Sequence, residues 1–148
     1  MKAMVLNRVC KLQENKNPLE LIDLPDPIPG EKEILVKVSA CGICHTELDE
    51  IEGRTPPPRL PIIPGHQVVG RVEKTCSKTR NCKMGDRVGI AWIHSACGKC
   101  KFCREGNENL CDDFRATGRD ANGGYAQYIT VLEDFVYRIP EIFSDSEA

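Results

Sequence analysis

The sequence predicts a mainly β fold with short helices, arranged as a partly open β-barrel, and three observations lead to that prediction. Short runs rich in β-branched residues recur along the 148 residues, separated by Gly, Pro and Asp. The stretches with a helical pattern are few and short. A chain of this length buries one core, and many short strands joined by turns favour a closed or partly closed barrel.

The elements follow in order from these patterns. In residues 34–40, Lys37 and Ser39 alternate with apolar residues, as in a strand with one buried face. Residues 44–51 and 100–105 are the predicted short helices. The proline-rich residues 56–65 predict a stiff, extended connector that delivers His66 to a fixed place. The predicted strands are residues 3–9, 34–40, 68–74, 87–93, 125–131 and 135–139.

Composition excludes several classes of function. The formal net charge is -2 and the basic residues are scattered, so no nucleic-acid partner is expected. The chain has no secretory signal at its start and no apolar stretch long enough for a membrane span, which predicts a cytoplasmic protein without a membrane partner. Nine cysteines in a reducing compartment indicate metal ligation, and an odd number cannot all pair within one chain.

Four cysteines form the strongest motif in the chain. The motif consists of Cys97, Cys100, Cys103 and Cys111. Two residues separate each of the first three cysteines from the next, and seven residues separate the third from the last. A two-residue gap lets the backbone turn both sulfurs toward one metal ion, so the spacing predicts a closed structural zinc site. Disulfides and an iron–sulfur cluster are the alternatives. A bacterial-type iron–sulfur run has three residues before its last cysteine and a proline after it, where this chain has seven residues and Asp112.

A second set of possible ligands lies in two loops beside predicted strands. Cys41 and Cys44 form another pair with two residues between them, directly after residues 34–40. His66 precedes residues 68–74. Loops at strand ends commonly carry functional residues. From the residues alone, the cysteine pair could chelate a metal, whereas a lone histidine is more often a structural residue held by hydrogen bonds.

Five segments together resemble the medium-chain, zinc-dependent alcohol dehydrogenases, in order and spacing and over essentially the whole chain. The resemblance is closest to microbial members that act on small primary alcohols, through Cys44-His45-Thr46 and Trp92. It implies that residues 1–148 form a GroES-like catalytic domain with a structural zinc lobe at about residues 94–113. In the family a Rossmann domain for NAD(P) follows. The five segments are residues 41–46, 64–70, 85–88, the four-cysteine loop and residues 123–128.

The resemblance also implies a catalytic zinc bound by Cys44 and His66, but not by Cys41. Such a zinc keeps one position open for substrate and acts as a Lewis acid on the alcohol, so that hydride can leave for nicotinamide. The implied reaction converts an alcohol and NAD(P)⁺ to an aldehyde or ketone and NAD(P)H. The implied partners are a small primary alcohol or aldehyde and NAD(P), with a homo-oligomer as a further possibility.

Four further roles follow from the same resemblance. Thr46 would pass the hydroxyl proton toward solvent, although from the residues alone a helix-capping hydroxyl is the favoured interpretation. Glu47 would act beside it as a catalytic residue, at a position where the family has Asp. His45 would touch the pyrophosphate of the cofactor. Trp92 would form a wall of the substrate pocket, with plain core packing as the alternative.

Several residues depart from the family pattern. Gln67 replaces the Glu that usually follows the zinc-ligating histidine, and Asp49 stands where a relay histidine is often found. Second-shell carboxylates orient histidine ligands and tune metal affinity about tenfold to a hundredfold, so such changes bear on zinc binding. Gln127 replaces the Glu of the family's Gly-Gly-x-Ala-Glu-Tyr strand.

The sequence contains no Gly-x-Gly-x-x-Gly between a strand and a helix. It also lacks the cysteine that is the family's third catalytic-zinc ligand. We therefore expect the chain to be inactive alone and to bind metal at Cys44 and His66 more weakly than at the four cysteines. The alternative is a stand-alone, zinc-stabilised binding or structural module without catalysis; a co-chaperonin-like role would rest on fold alone.

Overall fold

The computed structural model describes residues 1–148 and contains nine strands, two short α-helices and two 3₁₀ turns. None of the helices is long and apolar enough to cross a membrane. The strands are β1 Lys2–Leu6, β2 Leu19–Asp23, β3 Glu33–Gly42, β4 Gln67–Thr75, β5 Arg87–Ile90, β6 Ile93–Ser95, β7 Arg115–Ala116, β8 Tyr128–Leu132 and β9 Val136–Arg138. The helices are α1 His45–Ile51 and α2 Lys101–Arg104, and the 3₁₀ turns are Glu108–Leu110 and Glu133–Phe135.

The main sheet has five antiparallel strands in the order β8-β3-β4-β5-β9. Two smaller ladders, β1 with β2 and β6 with β7, flank it. Single bridges join Ala3 to Ala126 and Leu6 to Ile62, so β1 is attached to the segments that precede β8 and β4, and the main sheet is not closed. The predicted mainly β fold with a partly open barrel is therefore confirmed.

The barrel interior is filled by side chains from the central strands. In β3, Val36 is fully buried while Lys37 and Ser39 face solvent, as the alternation in the sequence predicts. Tight packing of β-branched residues in this interior supplies the apolar burial that holds the strands together. The main core cluster consists of Ile34, Val36, Val68, Val72, Cys82, Val88, Ile90, Ile129 and Val131.

Gln127, which had no predicted role, links β1 to the main sheet. Its Oε1 accepts a hydrogen bond from the Lys2 N–H at 2.8 Å, and its own N–H donates to the Lys2 carbonyl at 3.1 Å. Its carbonyl accepts from the Val38 N–H at 2.9 Å. The uncharged side-chain amide of Gln127 accepts a hydrogen bond from the backbone, so Gln127 connects β1 to the main sheet without placing a charge there.

Several predicted strand bounds were wrong. The run 87–93 divides into β5 and β6, because the chain leaves the ladder at Trp92, whose carbonyl accepts from the Thr117 N–H. The run 3–9 ends at Leu6, and the run 135–139 is shortened by the turn Glu133–Phe135. The sequence patterns missed β2 and β7, since β2 has no buried residue and β7 has only two residues.

Candidate metal sites

The four cysteines lie on a loop whose two ends are held together. β6 and β7 pair antiparallel, with Ser95 opposite Arg115 and Ile93 opposite Ala116. The chain between Ser95 and Arg115 therefore leaves the barrel and returns at the same place. α2 occupies part of this loop and begins after Cys100, its N-cap residue. The loop is thus closed by backbone pairing, independently of any metal.

The four sulfurs converge on one point. All four lie within 4.8 Å of one another, in Cys97, Cys100, Cys103 and Cys111. A tetrahedral Zn²⁺ with bonds of about 2.3 Å needs sulfurs roughly 3.8 Å apart. The Sγ atoms of Cys97 and Cys103 are 3.9 Å apart, and those of Cys100 and Cys103 are 3.5 Å apart. The four residues fit a closed zinc site, and all nine cysteines of the chain are free of disulfides.

Backbone N–H groups already point at these sulfurs. The Cys100 N–H donates to the Cys97 sulfur at 3.3 Å, and the Cys97 N–H donates to the Cys111 sulfur at 3.5 Å. Backbone hydrogen bonds to the Cys97 sulfur, first from the Lys99 N–H and then from the Cys100 N–H, lower the pKa of Cys97 to about 6. Because the metal ligand is the thiolate, these donors favour the ligating form of Cys97 at neutral pH, whereas burial and then the Cys100 side chain raise the pKa of Cys103.

The second candidate site is built around the start of α1. Cys44 is the N-cap residue, and Glu47 stands at the third helical position. Glu47 Oε2 accepts a hydrogen bond from the Cys44 N–H at 2.8 Å, which is half of a capping box. Thr46 is therefore inside the helix rather than its cap, so the capping interpretation of this residue was wrong.

Glu47 also reaches His66. Its Oε1 lies 2.6 Å from His66 Nδ1, and only 2% of Glu47 and 7% of His66 are exposed. Burial disfavours the charge of Glu47, but the hydrogen bonds from His66 and from the Cys44 N–H outweigh it and lower the Glu47 pKa. The same contact raises the pKa of His66. One carboxylate thus ties the backbone of Cys44 to the ring of His66.

The connector before His66 is fastened to the segment that leads into β8. The Gly123 N–H donates to the Ile63 carbonyl, the Gly124 N–H to the Gly65 carbonyl, and the Tyr125 N–H to the Pro64 carbonyl. Gly65 adopts φ +98°, a backbone conformation that glycine tolerates and other residues do not. These bonds hold residues 63–65, directly before His66, in a fixed place, as the prediction for the end of the proline-rich connector requires.

The pair Cys44 and His66 fits a metal in its chemistry but supplies two protein ligands. With Nδ1 facing Glu47, His66 has Nε2 free to ligate, the arrangement usual for metal-bound histidines. Donors from Thr46, first its N–H and then its hydroxyl at 3.5 Å from the sulfur, lower the pKa of Cys44. The four-cysteine cluster is the only group of three or more candidate ligands in residues 1–148.

The other predicted site residues are largely exposed. The His45 side chain is 78% exposed, and its Nε2 is 3.9 Å from Asp49. Trp92 is 42% exposed and packs on Phe114, with ring centroids 5.0 Å apart. Gln67 borders a mainly apolar cavity of about 570 Å³ that is lined by β3, β4, β5, β9 and residues near the end of the chain. Trp92 is not among the residues that line this cavity.

Three further polar residues were missed or left without a role by the sequence patterns. Glu50 is 1% exposed, and neither of its carboxylate oxygens has a hydrogen-bond partner. The hydroxyl of Tyr125 is also buried without a partner. His94 is buried, and its Nδ1 has no hydrogen-bond partner. The helical spacing of Glu50 from Glu47 is the signal that could have placed it on the same face.

Comparison with known proteins identifies the family. The model of the alcohol dehydrogenase GroES-like domain matches residues 30–141. A Mycobacterium tuberculosis protein named "Probable alcohol dehydrogenase AdhA" is 47% identical over 88% of this chain and 39% of its own length. An alcohol dehydrogenase from Geobacillus stearothermophilus is 41% identical over 100% of this chain and 42% of its own length.

A solved structure agrees with these matches. The crystal structure of an NAD-dependent alcohol dehydrogenase superposes with a TM-score of 0.87 at 29% identity, covering 98% of this chain and 41% of that one. The chain thus spans about 40% of the length of the relatives it matches. With the family model matching most of its residues, and with the cysteine loop and barrel in place, the chain belongs to the zinc-dependent alcohol dehydrogenase family through its GroES-like domain.

Proposed function

We propose that this chain is the metal-binding catalytic part of an alcohol dehydrogenase. In the whole enzyme it would interconvert a small primary alcohol and its aldehyde, or a secondary alcohol and its ketone, with NAD(P) bound by a separate Rossmann domain. The observation that carries this proposal is the Glu47 carboxylate, which joins Cys44 to His66 at 2.8 and 2.6 Å. The names of the relatives, alcohol dehydrogenases in the cases described above, support the reaction class.

In this proposal, residues of the chain bind the metal, orient a ligand and transfer a proton. Cys44 would supply a thiolate and His66 its Nε2, while Glu47 keeps the imidazole oriented and its Nδ1 protonated. A zinc ion bound there would supply Lewis-acid polarisation of the substrate oxygen. The hydroxyl of half-buried Thr46, 3.5 Å from the Cys44 sulfur, would take up the substrate's hydroxyl proton and pass it toward solvent.

The cofactor and substrate contacts remain part of this proposal. We infer that exposed His45 faces the cofactor's pyrophosphate and that Trp92 borders the substrate. The four-cysteine loop, with its closing ladder of β6 and β7, would act as a structural zinc lobe at about residues 94–113. A cytoplasmic location and assembly into a homo-oligomer are proposed as well; the nine free cysteines favour the reducing compartment.

A chimera tests the catalytic proposal. Residues 1–148 replace the matching part of the Geobacillus stearothermophilus enzyme, and cofactor reduction is followed with a series of primary alcohols. We expect turnover that is lost in Cys44→Ser and His66→Ala and strongly reduced in Thr46→Val. The matched control is Cys10→Ser, a half-buried cysteine outside both sites. A chimera that binds zinc and cofactor but oxidises no alcohol would contradict the proposal.

One observation favours a second candidate, a zinc-stabilised module without catalysis. The four-cysteine cluster is complete, whereas Cys44 and His66 offer only two ligands. Under this alternative the chimera would fold and hold zinc in the cysteine loop, and Cys44→Ser would change neither its zinc content nor its activity. The same chimera measurement therefore separates the two candidates.

A further inference from the structure

Glu50 is a buried carboxyl group to which the chemistry above gives no role. Only 1% of the residue is exposed, and Oε1 and Oε2 both lack hydrogen-bond partners. An ionised carboxylate in such surroundings is strongly disfavoured, so the group is more stable when it keeps its proton. In agreement with this, burial first and the charge of Glu47 second raise the pKa of Glu50 to about 7.

Glu50 lies directly behind the residue that joins the two proposed ligands. It follows Glu47 by three positions on α1, and side chains at that spacing share a face with Cβ atoms about 5–6 Å apart. Both carboxyl groups are buried, and Glu47 contacts His66. Glu50 therefore lies within the electrostatic influence of both Glu47 and His66.

The surroundings of Glu50 contain few charges that could offset its own. The charged groups that act on it are Glu47, His66, Arg119 and Asp120. Arg119 is already paired with Asp120 at 2.9 Å, which offsets its positive charge. The nearby Tyr125 hydroxyl is neutral, because burial and then the charge of Glu47 raise its pKa. Unless another positive charge enters, two ionised carboxylates in this interior would repel each other.

We propose that Glu50 is a protonated positioning residue behind the Cys44–His66 pair and that it ionises when a metal ion binds there. This inference rests on the proposed function of that pair. A divalent ion with one thiolate ligand brings a net positive charge into a poorly solvated interior, where it favours a second carboxylate. The proton leaves a Glu50 oxygen for a base in solvent, and no other bond of Glu50 changes. The resulting carboxylate balances the added positive charge, while Glu47 stays ionised toward His66.

Infrared spectroscopy tests the protonation directly. The chain is loaded with one zinc, which the four cysteines retain, and the carbonyl stretch of a protonated carboxyl group is recorded at about pH 6, well above the pH at which ordinary carboxyl groups lose their proton. We expect one buried, slowly exchanging band in the parent chain, absent from Glu50→Gln. The matched control is Glu52→Gln, since Glu52 is held ionised by the Leu12 N–H and by Arg54 and its loss should leave the band unchanged.

A second zinc titration tests the coupling. As the second ion binds, the band should disappear, and calorimetry in buffers of different ionisation enthalpy should detect more protons released by the parent chain than by Glu50→Gln. Cys44→Ser should keep the band at every zinc concentration. Because the band is read in the parent chain, the test stands even if the Glu50→Gln variant fails to fold.

The outcomes separate this inference from the function on which it rests. Absence of the band overturns the protonated state of Glu50. A second zinc that binds at Cys44 without removing the band overturns the coupling and leaves the proposed function standing. A chain that binds no second zinc at any concentration overturns both the coupling and the assignment of Cys44 and His66.

Discussion

Glu47 is the residue on which the arrangement of the proposed catalytic pair depends. One carboxylate oxygen caps the backbone of Cys44 and the other meets the His66 ring, so a single side chain sets both positions. The sequence placed Glu47 beside the site only through a family resemblance, as a departure from Asp. Its double contact arises from the approach of two loops distant in sequence, which no local pattern reports.

Glu47→Gln should weaken zinc binding at Cys44 and His66. The amide can still accept from the Cys44 N–H, but it offers His66 no charge, and such outer partners change metal affinity about tenfold to a hundredfold. The affinity of the second zinc, measured by competition with a chelator after the four-cysteine site is loaded, reports this effect. Glu52→Gln serves as the control on the neighbouring turn. An unchanged affinity would show that Glu47 does not support the ligand.

The lowered pKa of His94 leads us to expect a free energy of unfolding that depends on pH. Burial, then the charge of Arg115, lowers its pKa below the ordinary value of 6.5, so the folded chain binds fewer protons than the unfolded chain as pH falls below that value. Stability should therefore decrease with falling pH, by at most about 1.4 kcal/mol per pH unit from this group.

Urea unfolding at about pH 7 and pH 5.5 measures this dependence in the parent chain and in His94→Gln. The difference between the two proteins isolates the histidine from the protonation of zinc ligands, which both share. Equal losses of stability in both would be inconsistent with a neutral, buried His94.

At the scale of elements, the central strands were readable from the sequence and the peripheral ones were not. β3 and β4 carry alternating or continuous β-branched residues, which report burial directly. β2 is largely exposed and β7 has two residues, and each forms because a partner strand lies beside it. Pairing across distant segments depends on the whole fold, so local patterns contain little signal for it.

Residues 63–65, before His66, contact the segment before β8. Because of this contact, we expect Gly123→Ala to displace residues 63–65 and destabilise the chain. A Cβ atom on Gly123 would lie 2.1 Å from the Gly65 carbonyl oxygen and 2.6 Å from that of Pro64. These are backbone atoms, so the connector must move, at a cost of about 1–3 kcal/mol in unfolding free energy. We also expect weaker binding of the second zinc, because His66 moves with the connector.

The control for this substitution is Gly30→Ala, where a Cβ atom would meet only the Glu33 carboxylate, at 3.2 Å. Denaturant unfolding and the second-zinc affinity are compared in both variants. If Gly123→Ala matches the control in both measurements, the close approach of the two segments does not position His66.

At the scale of the whole molecule, a buried arginine binds the last residues to the barrel. The side chain of Arg87, in β5, is 2% exposed and pairs with Asp145 at 2.7 Å. It also donates to the carbonyls of Pro140 and Phe143 at 3.0 and 2.7 Å. The folding of the terminal segment onto the barrel thus depends on a buried guanidinium that makes several hydrogen bonds at once.

Arg87→Leu should release residues 140–148 and lower the unfolding free energy by about 2 kcal/mol, since hydrogen bonds to charged groups contribute about 1.5–3 kcal/mol. Hydrogen exchange followed by mass spectrometry reports the release, and urea unfolding reports the energy. Arg138→Leu is the control, because Arg138 is 69% exposed and its pair with Asp86 lies at the surface. Unchanged exchange in residues 140–148 would mean that other contacts hold the segment.

The central claim is that the chain has two zinc sites of unequal affinity, the four cysteines and the Cys44–His66 pair. Native mass spectrometry during zinc titration tests this claim most directly. We predict one zinc retained against a chelator and lost in Cys100→Ser, and a second zinc that binds more weakly and is lost in Cys44→Ser and in His66→Ala. A parent chain that retains no zinc, or one whose second zinc persists in both of the latter variants, would contradict the account.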